Sequence, residues 1–161
     1  MQLQEGISSI SPEDFPQVVE VWEASVRATH HFVSEEDILL FRPIVEDALP
    51  HLKDLACVRD LDGQVAGFVA VENKKVEMLF LSPQARGQGA GKRLLHHAVH
   101  AFGATTLDVN EQNEQALGFY LANGFETAWR SELDGMGKPY PLLHMRLASL
   151  SAENPTTGPA G

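Results

Sequence analysis

The sequence predicts an α/β (α+β) fold: one mixed, mostly antiparallel sheet with helices on both faces, in the order β-α-α-β-β-β-α-β-α-β-β. Three observations predict it. Apolar residues recur at helical spacing before residue 50, and short branched or apolar runs replace them between 55 and 81. A strand, a glycine-rich turn and an amphipathic helix then follow one another from Val76 to Phe102. After them a short helical block, 113–122, sits between further strand-like runs.

Taken in order, Ile7 to Ile10 suits a first strand. Ser11-Pro12-Glu13-Asp14 then starts a helix, with Ser11 as N-cap, Pro12 at the first helical position and acids in the first turn. Val18, Val19, Val21, Trp22, Ser25 and Val26 form its apolar stripe, and it ends near Thr29-His30-His31-Phe32. Ser34 opens a second helix, expected to be interrupted or kinked at Pro43 and to close near Pro50. Leu55–Val58, Val65–Val71 and Val76–Leu81 read as three antiparallel strands, joined by turns at 60–63 and 72–75.

Ser82-Pro83 ends the third of these strands, and Arg86-Gly87-Gln88-Gly89-Ala90-Gly91 leads into the next helix. Leu94, Leu95, Ala98, Val99 and Phe102 share one face of that helix; Lys92, Arg93, His96, His97 and His100 share the other. A glycine turn opening a helix directs unpaired N–H groups outward at the positive end of the dipole, which suits phosphate. A P-loop is excluded on spacing: three residues separate Gly87 from Gly91, and Arg93, not Ser or Thr, follows Lys92. A dinucleotide fingerprint is excluded because its third glycine would fall on Lys92. Gly103 stops the helix, and Thr105–Val109 reads as a strand. Asn113 caps a helix of about three turns that closes at Asn123-Gly124, followed by strands near Glu126–Ser131 and Leu142–Leu147.

Composition bounds the rest. The chain has 161 residues, ordinary for one domain, assigned here to 1–148, with a disordered tail expected over 149–161. Lys and Arg number 12 against 22 Asp and Glu, a net charge of −10 that argues against nucleic acid as partner. No membrane span is expected. The single Cys57 and a polar N-terminal stretch lead us to expect a cytoplasmic protein, monomer or homodimer. His96 and His100 have metal-like spacing, but no acid or cysteine accompanies them, so no metal is expected.

The R-x-x-G-x-G pattern met by Arg86, Gly89 and Gly91, with the later NEQNEQALGFYLANGF run, resembles the GNAT superfamily of acyl-CoA-dependent N-acetyltransferases. With RATHHF near the start and the Gly/Pro-rich loop 131–141, the chain resembles the small bacterial YjaB-type branch over 7–147. That branch is similar to peptidyl-lysine acetyltransferases. The resemblance implies a strand at 76–81 splayed from the one at 105–109. It also implies coenzyme A binding through Leu79, Phe80, Leu81, Arg86, Gly87, Gln88, Gly89, Ala90, Gly91, Lys92 and Asn113. The activity it implies is acetyl transfer from acetyl-CoA to a primary amine, of a protein lysine or a small molecule, by direct attack.

Tyr120 is then the candidate general acid. Glu77 is the candidate base, facing opposite to Val76 and Met78; an ordinary outward strand carboxylate is the other reading of it. Weaker bases are His30, His31, Glu132 and His144. Trp22, His30, Phe32, Glu132 and Tyr140 are candidate acceptor-binding residues; for Trp22 the alternative is the core. Two further readings of the whole are a non-catalytic acyl-CoA sensor and a generic α/β binding protein.

Overall fold

In a computed structural model the described residues are 1–148; the expected tail over 149–161 lies outside them. The chain divides into two compact units, Met1–Ala104 and a second beginning at Thr105.

The first unit carries β1 (Ser8–Ser9), α1 (Phe15–Thr29), α2 (Glu35–Ala48), β2 (Asp54–Arg59), β3 (Val65–Glu72), β4 (Lys75–Leu81) and α3 (Ala90–His100). Its strands lie in sequence order and pair antiparallel throughout. Ser11 starts a single 3-10 turn, Pro12–Asp14, ahead of α1: the Ser11 N–H donates to Asp14 Oδ2 at 2.9 Å. Arg59 on β2 also bonds that carboxylate at 3.0 Å, tying the helix entry to the sheet and holding the Asp14 carboxyl below its usual range.

The expected α1 stripe, Val18 through Val26, is buried residue for residue, against Phe68, Cys57, Ile38 and Leu49. Burying such side chains stabilises by roughly 1.5–3 kcal/mol each. α2 runs through Pro43 without the interruption expected there, and closes near Pro50 as expected, in a 3-10 turn, Leu49–His51. Proline removes one donor, but ion pairs clamp the helix to α1: Arg42 reaches Glu20 and Glu23 at 2.7 and 2.6 Å, and Arg27 reaches Glu35 at 2.5 Å.

β3 is buried along seven of its eight residues, which is why its sequence does not alternate. The β3–β4 turn needs Asn73 and Lys74 at positive φ, 53° and 66°, the geometry of a two-residue hairpin. The ladder slips between Ala70 and Val71: Met78 stands opposite Ala70 and Val76 opposite Val71, which makes Glu77 the extra residue of a β-bulge. α3 buries Ala90, Leu94, Leu95 and Ala98 against β2, β3 and β4. Its polar face is narrower than expected, since His97 is half-buried with its ring edge-on to Phe102 at 4.8 Å.

The second unit has β5 (Thr106–Asn110), α4 (Glu114–Ala122), β6 (Phe125–Ser131) and β7 (Leu142–Leu147), with strand order β5-β7-β6 and antiparallel pairing. Asn113 caps α4 as expected, its side chain accepting from the Ala116 N–H at 3.2 Å.

Gly67 stands opposite Leu81 at the end of the β3–β4 ladder. A Cβ there would clash with Leu81 Cδ2 and meet the Phe80 carbonyl oxygen at 3.2 Å and Val58 Cγ2 at 3.3 Å. Gly67→Ala is expected to lower stability by about 1–3 kcal/mol in urea denaturation. An unchanged midpoint would mean that β4 is not held this closely.

Candidate active site

The end of β4 sets the backbone of the first half-site. The Ser82 N–H donates to the Ala66 carbonyl at 2.8 Å, so the paired position two residues back, Phe80, also turns its N–H and C=O toward β3. Alternation then turns the backbone groups of Leu79 and Leu81 away from β3.

A 3-10 turn, Pro83–Ala85, delivers Arg86 to the loop. Gly87 and Gly89 have φ of +79° and +78°, in the left-handed region that glycine occupies without strain. An added Cβ at either meets nothing within 4 Å, so the demand for glycine comes from backbone conformation and not from packing inside the chain. Gly89 is the N-cap of α3, and the first bond onto the helix is from the Arg93 N–H to the Gly89 carbonyl at 3.1 Å. The N–H groups of Ala90, Gly91 and Lys92 precede that bond and open at the positive end of the dipole. Gly87, Gln88 and Gly89 are exposed, and Gln88 Nε2 donates to the Met1 carbonyl at 2.7 Å. Oriented amides and a half-buried Arg86 fit a diphosphate, and the open space beside the two glycines leaves room for one.

His30, the C-cap of α1, belongs to the same unit. Its ring lies 5.2 Å from Phe32 and 6.5 Å from Phe80 on β4. Thr29 Oγ1 donates to the Ser25 carbonyl at 2.7 Å, so its contact with His30 Nδ1 at 2.8 Å is one it accepts. His30 therefore carries its proton on Nδ1 and a bare lone pair on Nε2. Burial, with the Arg86 and His31 charges nearby, pulls its pKa from 6.5 down to about 4. Glu77 is exposed, and the bulge replaces the strict alternation expected of it. Trp22 is 5% exposed inside the core cluster, so its aromatic face is spent on Val and Phe packing and not on an amine. A cleft of about 660 Å³ opens elsewhere in this unit, between Phe15, Gln17 and Glu20 on one side and Arg42 and Leu49 on the other.

In the second unit, Tyr120 on α4 is buried, with Phe119 and Phe125 edge-on at 5.2 and 6.1 Å. Its hydroxyl has no hydrogen-bond partner among the described residues, unusual for a buried phenol. Desolvation raises its pKa well above the ordinary 10.0, so the proton stays on at neutrality. The Asn113 side-chain oxygen is engaged by the helix cap. Glu132 is exposed and Tyr140 buried. Among the described residues no cluster of three His, Cys, Asp or Glu could hold a metal ion, and no helix is long and apolar enough to cross a membrane.

A family model described as an acetyltransferase (GNAT) domain matches residues 48–148. A peptidyl-lysine N-acetyltransferase, YjaB, of Salmonella typhimurium is 41% identical over 133 residues, which span 83% of this chain and 91% of that protein. The solution structure of apo YjaB from Escherichia coli superposes with a TM-score of 0.82 at 37% identity, covering 92% of this chain and 99% of the other. The PaiA N-acetyltransferase of Thermoplasma acidophilum, in a crystal with coenzyme A, shares the fold at 23% identity and a TM-score of 0.66, over 91% and 99% of the two chains.

His30 gives the first check of this site. Its ring resonances should titrate near 4. A native pKa below the unfolded 6.5 means that the unfolded chain binds more protons between those values, so stability should fall as pH drops from 6.5 toward 4. His30→Gln should remove that part of the slope, and a His30 midpoint near 6.5 would contradict its burial.

Proposed function

The chain belongs to the GNAT acetyltransferase family, and from that premise we propose that it is a peptidyl-lysine N-acetyltransferase that uses acetyl-CoA. The observation that carries the reading is the loop Arg86–Gly91, whose two left-handed glycines leave the first amides of α3 open directly after a bulged strand.

When bound, acetyl-CoA supplies the activated acetyl group; the remaining work falls to side chains and amides of this chain. The N–H groups of Gly87 to Lys92, with Arg86, hold the diphosphate. The outward backbone groups of Leu79 and Leu81 orient the pantetheine arm and polarise the acyl carbonyl. The lysine arrives as an ammonium of pKa about 10.4, and Glu77 removes its proton, directly or through water. His30 Nε2, a lone-pair acceptor at neutral pH, and Phe32 receive the acceptor side chain. Tyr120 Oη gives its proton to the departing sulfur. A thiol pKa of about 8.5 lies below that of the phenol, and burial widens the gap, so the proton moves only as the C–S bond breaks. The buried Tyr120 hydroxyl, without a hydrogen-bond partner among the described residues, supports the proton-donor role, and the relatives' action on peptidyl lysine supports the acceptor.

Three variants test it together. Gly89→Ala forces a side chain into the left-handed region and should weaken coenzyme A binding at least tenfold in calorimetry. The strain should also cost about 1–2 kcal/mol of stability. Tyr120→Phe keeps the ring and should lower kcat on the order of a hundredfold with the coenzyme A affinity unchanged. Phe32→Ala should raise KM for a lysine peptide and leave that for acetyl-CoA alone. Coenzyme A binding without thiol release on any amine would favour the sensor reading, and full turnover by Tyr120→Phe would remove that residue from the mechanism.

A further inference from the structure

Outside that machinery, the second unit assembles three polar side chains from three strands. Asp108 on β5 stands opposite His144 on β7, and His144 stands opposite Trp129 on β6. A bulge in β6 sets the phase: Thr127 pairs with Met145 and Trp129 with His144, leaving Ala128 as the extra residue. Two residues on, Ser131 pairs with Leu142, so it shares the face of His144 as a diagonal neighbour. Without the bulge, Arg130 would occupy that row.

The contacts run in one direction. His144 Nδ1 lies 2.6 Å from Asp108 Oδ1, and Nε2 lies 2.5 Å from Ser131 Oγ. A carboxylate only accepts, so in the neutral imidazole Nδ1 carries the proton and Nε2 presents its lone pair to the Ser131 hydroxyl. The Trp129 indole stacks on the imidazole at 3.7 Å and 15°, shielding one ring face, while the indole is itself 61% exposed. The His144 and Asp108 side chains keep 18% and 23% of their exposure, so small molecules reach the group. Nucleophile, base and orienting acid thus stand at hydrogen-bonding distance in the order that defines a serine triad by geometry and not by chain order.

We propose that Ser131, His144 and Asp108 form a second reactive centre, in which Ser131 accepts an acyl group from small activated esters. Ser131 Oγ bonds to the ester carbonyl carbon while its proton passes to His144 Nε2. The C–O bond to the leaving alcohol breaks, and that alcohol takes the proton from Nε2. Water reverses the sequence and frees the acid. Asp108 is a positioning residue that holds the imidazole in the productive tautomer. Rapid turnover draws on oxyanion donors as much as on a triad, so the event expected is acylation of one residue per chain.

The test uses the full chain without coenzyme A or amine, so that its outcome is independent of the acetyltransferase reading. The chain is treated with a fluorophosphonate, which transfers its phosphonyl group to a triad serine with loss of fluoride, and with p-nitrophenyl acetate; adducts are mapped by peptide mass spectrometry. Ser131 should carry the adduct from each probe, and Ser131→Ala should lose it. His144→Gln and Asp108→Asn should slow labelling on the order of a hundredfold with their melting curves intact. Unlabelled Ser131 in the wild type, or labelling as fast in His144→Gln, would overturn the proposal.

Discussion

A helix cannot satisfy its own first amides, and the first unit is organised around where α3 leaves them open. The site of that opening is fixed by burial. Ala90, Leu94, Leu95 and Ala98 pin the helix onto β2, β3 and β4, and Gly67 lets β3 press against the last turn of β4. Between these two anchors the chain must reverse within Ser82 to Gly89. It does so by a 3-10 turn and two left-handed glycines, which spend no amide on internal bonding at the helix start. The dipole then adds its partial positive charge at the same point. The opening of these amides is a consequence of how the core closes.

Two β-bulges place the carboxylate and the hydroxyl that carry reactive assignments. One makes Glu77 the extra residue of β4; the other turns Trp129 and Ser131 onto the face of His144 and Asp108. A bulge displaces only one residue, yet it inverts the facing of everything beyond it. It is also a cheap way to put a polar group where strict alternation would have put its neighbour.

Much of this was legible in the residues. The α1 stripe, the Asn113 cap, the element order and the glycine loop follow from spacing and turn chemistry, because each depends on neighbours within a few positions. What was not legible depends on distant partners. Pro43 reads as a break until Arg42 is seen tied to Glu20 and Glu23. Trp22 reads equally as ligand surface or core until Phe68 and Ile38 close over it. The bulges leave no mark in the pattern of β4 or β6, so the row joining Asp108, His144 and Ser131 could not be read from alternation. His144 was visible only as one of several possible bases; its two partners lie 36 and 13 residues away along the chain.

The central claim, that the open amides of α3 and the outward backbone of β4 are where coenzyme A is held, is tested most directly by amide hydrogen exchange on the full chain with and without that ligand. Protection should appear in peptides covering 79–81 and 86–92 and be absent from β1 and α2. Protection confined to other segments, or none at saturating coenzyme A, would contradict it.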